Sequence, residues 1–99
     1  MKKIVSGRSV VVAASDQVSC DLAGEAAILN LKTGVYYGLN AVGARVWSLI
    51  QESRTVEEIR DTIVAEYDVE PPRCEDDIVA LLEELAAEGL IVVRDEATP

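Results

Sequence analysis

The chain has 99 residues, enough for one modest hydrophobic core and not for two. With 49% of its residues hydrophobic it lies above the range of disordered chains. Its net charge of −9 and its lack of histidine argue against nucleic acid as the ligand and remove the commonest general base and metal ligand.

In chain order, MKKIVSGRSVVVAA combines basic and apolar residues, but its apolar run is shorter than a secretory core and Arg8 interrupts what precedes it. No stretch reaches membrane-spanning length, and a cytoplasmic protein is expected. The two cysteines, Cys20 and Cys74, lie far apart without zinc-motif spacing, so reduced thiols and no metal are expected.

Residues 9–14 form a β-branched run that reads as a short strand. QVSCDLAG alternates at Val18, Cys20 and Leu22, with Ala23-Gly24 as the turn that follows. In EAAILNL the residues Ala27, Leu29 and Leu31 share a face, and Thr33-Gly34 turns the chain back. On the return strand Val35, Tyr37 and Leu39 share one face, with Tyr36 and Gly38 on the other. Short turns predict an antiparallel meander with residues 25–31 in the middle and residues 35–39 at an edge.

Asn40 is a preferred N-cap, opening a helix over about residues 41–51 with Val42, Val46, Leu49 and Ile50 on one side. Trp47 flanks this stripe as a core residue, with a partner-facing anchor as the alternative. Thr55-Val56-Glu57-Glu58 matches a capping box and starts a second helix carrying Val56, Ile59, Ile63 and Tyr67. Asp68 and the Pro71-Pro72 elbow close it. A third helix is expected over about residues 74–87, with Glu75, Asp76 and Asp77 in its first turn and Gly89 as its C-terminal cap. Ile78, Leu81, Leu82 and Leu85 centre its apolar face, which Val79 and Ala86 widen toward Glu75 and Glu83. Residues 90–93 read as a short strand or packed extension, and residues 95–99 as a frayed tail.

The outline is a single domain over residues 1–99, ordered over about residues 9–93. Its class is α+β, winged-helix-like: a three-stranded antiparallel sheet followed by three helices.

A catalytic site is not found. Without histidine no usual base pairs with Ser, Thr or Cys, and Glu57-Glu58 and Glu83-Glu84 are helix neighbours that point about 100° apart. The glycines form no phosphate loop. No enzyme activity and no cofactor are therefore expected. An exposed edge strand, by contrast, offers unpaired amides and carbonyls that an extended peptide can join.

The run LNLKTGVYYGLNAVGARVW resembles the pyrroloquinoline quinone biosynthesis protein D-like family: apolar strand, Thr-Gly turn, tyrosine-bearing strand, Leu-Asn, then a helix carrying Trp. The resemblance implies a non-catalytic recognition element that binds the leader of a ribosomally made precursor peptide as an added strand, as in lasso peptide pathways. The peptide would lie between the third strand and the third helix. The order of elements then puts Val35, Tyr36, Tyr37 and Gly38 on the strand side and Glu75, Val79, Leu82, Glu83 and Ala86 on the helix side. The implied partners are the leader peptide and a leader-cleaving cysteine protease of transglutaminase-like fold, with neither nucleic acid nor membrane. A winged-helix regulator and a self-associating interaction domain are the alternatives. The first would want Arg, Lys, Asn or Gln on a recognition helix, and residues 74–87 carry none.

Overall fold

The computed structural model describes residue 5 and residues 8–94. The elements are β1 (Val10–Ala13), β2 (Gln17–Leu22), β3 (Glu25–Asn30), β4 (Tyr36–Leu39), α1 (Ala41–Leu49), β5 (Arg54–Thr55), α2 (Val56–Glu66), α3 (Pro71–Ala87) and β6 (Ile91–Arg94). They form two three-stranded antiparallel sheets, ordered β2, β3, β4 and β5, β1, β6.

The first sheet is the expected meander, with residues 25–30 central and β4 at an edge. Its buried face is Ala26 and Ile28 with Asn30, while Leu31 is exposed. Pairing explains the choice: Ala26 stands opposite Leu39 and Ile28 opposite Tyr37, so the apolar inner residues of both strands meet. Gly34 closes the hairpin at φ 74°, and Ala23 with Gly24 turn β2 into β3 at φ 53° and 90°.

The second sheet was not foreseen. The run at residues 10–13 does not extend the meander but lies between β5 and β6, Val11 facing Arg54 on one side and Val93 on the other. A two-residue strand such as β5 leaves almost no periodic signal, which is why the sequence does not reveal its partner. The chain end at residues 91–94 is a strand, as one of the two readings had it. The tail at residues 95–99 lies outside the described residues.

Caps fix the helix starts. Asn40 Oδ1 accepts from the Gly43 N–H at 2.9 Å. Thr55 Oγ1 accepts from the Glu58 N–H at 3.1 Å while Glu58 Oε1 accepts from the Thr55 N–H at 2.8 Å, completing the capping box. The third helix begins three residues earlier than expected, because Pro71 and Pro72 form its first turn and do not precede it. Proline suits that position, where its missing N–H would have no helical partner. Glu75, Asp76 and Asp77 therefore sit beyond the first turn, and the dipole argument for them lapses. Gly89, at φ 72°, ends the helix: its N–H bonds to Ala86 O at 3.0 Å and the Leu90 N–H bonds to Leu85 O at 2.9 Å.

The core joins both sheets to the helices. Val11, Ile28, Val46, Ile59, Ile63, Leu82, Leu85 and Leu90 are all fully buried. Trp47 is buried with them, although its Nε1 has no hydrogen-bond partner among the described residues.

A cleft between the edge strand and the third helix

Among the described residues β4 pairs with β3 alone, and the character of its free edge follows from that pairing. The Asn30 N–H donates to the Val35 carbonyl at 3.0 Å. In an antiparallel ladder hydrogen-bonded pairs alternate, so Ile28 with Tyr37 and Ala26 with Leu39 bond inward in the same way. Tyr36 and Gly38 accordingly point their N–H and C=O groups outward. The edge offers four backbone groups from two residues.

Beside this edge lies a cleft of approximately 480 Å³. Tyr37, Gly38 and Leu39 form the strand side, and Cys74, Asp77, Ile78 and Leu81 of α3 form the opposite wall. Its inner end is closed by Val42, Gly43 and Val46 of α1 and by Ile63 and Tyr67 from α2 and its C-cap, and Asn40, Val69 and Arg73 complete the lining. The wall is mainly apolar, with Arg73 and Asp77 as the charged groups. Gly43 permits close packing at the inner end, because a Cβ there would meet Leu39 Cδ2 at 3.3 Å.

Two titratable groups in the cleft are displaced from their usual ranges. The Tyr37 phenol is raised, first by burial and then by the negative charge of Glu84, its hydrogen bond to that carboxylate, and Glu88. Burial also pushes the Cys74 thiol up, Asp77 and Glu75 add to this, and Arg60 opposes it. A buried thiol held in its protonated form is a poor nucleophile. Among the described residues no group of three or more His, Cys, Asp or Glu side chains could hold a metal ion. No helix there is long and apolar enough to cross a membrane.

The residues picked from the sequence divide between two places. Val35, Tyr36, Tyr37 and Gly38 lie on or beside the edge, with Val35 and Tyr36 exposed and Tyr37 and Gly38 lining the cleft. The five helix residues are not among those lining it. Leu82 is 0% and Val79 8% exposed, both in the core, with Ala86 packed against it. Glu75 accepts from Arg60 Nη1 at 2.7 Å, and Glu83 Oε2 accepts from the Val5 N–H at 3.0 Å. At the helical turn angle their flank is centred roughly 140° around α3 from the flank that borders β4. A wide apolar stripe shows that a helix is buried on two sides but not which side borders the sheet. The cleft flank of Cys74, Asp77 and Leu81, and the contribution of Val42 and Tyr67, were missed; the partial exposure of Val42 beside a capped helix start leaves no mark in the sequence.

Comparison with known proteins places this arrangement. The profile of Coenzyme PQQ synthesis protein D (PqqD) matches residues 25–91, from β3 into the start of β6. The chain belongs to the PqqD family. Among solved structures, TbiB1 in complex with the TbiA(beta) leader peptide is 42% identical over 81% of this chain and 93% of that one, with a TM-score of 0.76. A lasso peptide synthetase B1 complexed with the leader peptide is 21% identical over 83% and 96%, with a TM-score of 0.74. The PqqD truncation of Methylobacterium extorquens PqqCD, a stand-alone recognition element for ribosomally synthesised and post-translationally modified peptides, is 21% identical over 91% and 96%, with a TM-score of 0.76. These last two share the PqqD fold with this chain. A comparison with curated proteins gave no match.

Proposed function

We propose that this chain is a non-catalytic peptide-recognition domain that holds the leader of a ribosomally synthesised precursor as an added strand on β4. It presents that leader to a separate modifying enzyme, for which a leader-cleaving cysteine protease of transglutaminase-like fold is the favoured candidate. The observation that carries the proposal is the outward edge at Tyr36 and Gly38 beside an apolar cleft. The 42% identity to TbiB1, which was solved with a leader peptide, supports it.

Magnitudes assign the parts. Four backbone hydrogen bonds at about 0.5 to 1.5 kcal/mol each contribute about 2 to 6 kcal/mol. Ordering a flexible peptide costs about 2 to 5 kcal/mol, so strand addition alone comes close to balance. One or two large apolar side chains entering the cleft, at about 1.5 to 3 kcal/mol each, supply the useful affinity. The edge therefore sets the peptide's direction and register, and the cleft selects its sequence.

A synthetic leader peptide from the same gene neighbourhood, labelled and titrated by fluorescence anisotropy, tests this. Saturable binding of the leader, absent for a scrambled peptide and for duplex DNA, is expected. Val42→Asp changes a residue exposed at the cleft and should weaken binding by about tenfold or more without unfolding the chain. A folded monomer that ignores the leader would remove the proposal.

A further inference from the structure

The β2, β3, β4 sheet covers the core with one face only. Its other face carries Val18, Cys20 and Leu22 from β2, Ala27 and Leu29 from β3, and Tyr36 from β4, as the register requires. Val18 is 55%, Leu22 52% and Tyr36 71% exposed. A sheet face open to solvent ordinarily alternates to polar residues, and this one does not. No lysine or arginine occurs on the three strands, and the charged residue on the outer face is Glu25, paired with Leu22 at one end.

We propose that this outer face is the docking surface for the enzyme that receives the peptide, which presents an apolar patch bordered by lysine or arginine. The proposal rests on the leader-binding reading above. Charge favours such an occupant over a second copy, since two chains of net charge −9 repel and the shared acidic end finds no cation on this face. Size agrees. Three strands of at most 6 residues cover a face of about 300 Å² at the usual spacings. A stable dimer needs about 800 Å² from each partner, so this patch suits a transient complex. A peptide strand added at β4 would widen the same face by about 5 Å. Tyr36, with its backbone at the edge and its side chain on the outer face, would sit at the seam, so that an enzyme docked here touches the loaded peptide beside it.

The test immobilises the purified leader-cleaving enzyme encoded beside this chain and measures capture of the chain by interferometry, with saturating synthetic leader and without. The double variant Val18→Ser, Leu22→Ser should keep its melting temperature and its leader affinity within about twofold, and lose enzyme affinity by about tenfold or more. Glu25→Lys should weaken capture by a few-fold and reduce its dependence on salt. Wild-type capture equal to that of the double variant, or no capture at all, overturns the proposal. So does a concentration-dependent dimer in sedimentation that the double variant abolishes, which would assign the face to a second copy. Leader binding is read in its own titration, so failure of that reading is distinguishable from failure of this one.

Discussion

Asn30 donates from its side-chain Nδ2 to the backbone carbonyl of Glu88 at 2.7 Å, joining the end of β3 to the C-cap of α3. Its Oδ1 accepts from the N–H groups of Lys32 and Thr33 at 2.9 and 3.3 Å, so the same buried amide also shapes the hairpin turn. One side chain therefore ties the meander, whose edge strand borders the cleft, to the C-terminal end of α3, the helix that forms the opposite wall. Asn30→Ala should cost about 1 to 3 kcal/mol in urea unfolding, because it removes the three hydrogen bonds that this buried side chain makes. It should also weaken leader binding in anisotropy, an effect that stability loss alone would not give in a chain still folded.

Gly38→Pro removes an N–H that points to the free edge and leaves the ladder to β3 intact. Proline is tolerated on edge strands, and a Cβ at this position meets nothing within 4 Å. Leader affinity should fall by about two- to tenfold, the share of one backbone bond, with little change in melting temperature. Gly38→Ala, which keeps the N–H, should bind as wild type in the same titration.

Leu81 and Leu82 are neighbours with different tasks. Leu82→Ala should cost about 2 to 5 kcal/mol in chemical denaturation, since its side chain is 0% exposed in the core. Leu81 is half-buried against the cleft. Leu81→Ala should cost less stability and more leader affinity, a division read by running denaturation and anisotropy on the same samples.

Gly89→Ala places a side chain at φ 72°, where space is open but the backbone conformation suits glycine. A loss of about 1 kcal/mol is expected in thermal unfolding, from strain and not from a clash.

Arg45 holds Glu66 with two bonds, Nε to Oε1 at 2.8 Å and Nη2 to Oε2 at 2.7 Å. Hydrogen bonding to this guanidinium draws the Glu66 carboxyl below its ordinary range, with burial opposing and the charge of Arg45 assisting. The folded chain thus binds that proton more weakly than the unfolded one. The pair's contribution is present above the ordinary glutamate pKa of ~4.3 and drains away as pH falls below it. Glu66→Gln should flatten the fall in melting temperature between about pH 6 and pH 3. The pair is exposed, so the effect is small and should shrink further in salt.

What was legible in the sequence was local. Asn40, Thr55 with Glu58, Gly34 and Gly89 each mark a boundary by their own chemistry, and each stands where the residues implied. The edge position of β4 was also legible, because short turns leave few ways to order three strands. What stayed hidden depends on contacts between distant elements. Val11 alternates with nothing that identifies Arg54 and Val93 as its neighbours. Pro71 and Pro72 read equally as the end of one helix or the start of the next. Val79 and Leu81 are comparable apolar residues, and only the packing of α3 on α2 and β6 decides which of them borders β4.

The outward edge of β4 amounts to two residues, Tyr36 and Gly38. So short a ladder limits how long any cargo stays. A complex of about micromolar affinity that forms at about 10⁶ M⁻¹ s⁻¹ comes apart roughly once a second. In the proposed role a longer strand would hold the leader more firmly and return the carrier more slowly, and the brevity of β4 would let one copy serve many precursors in turn.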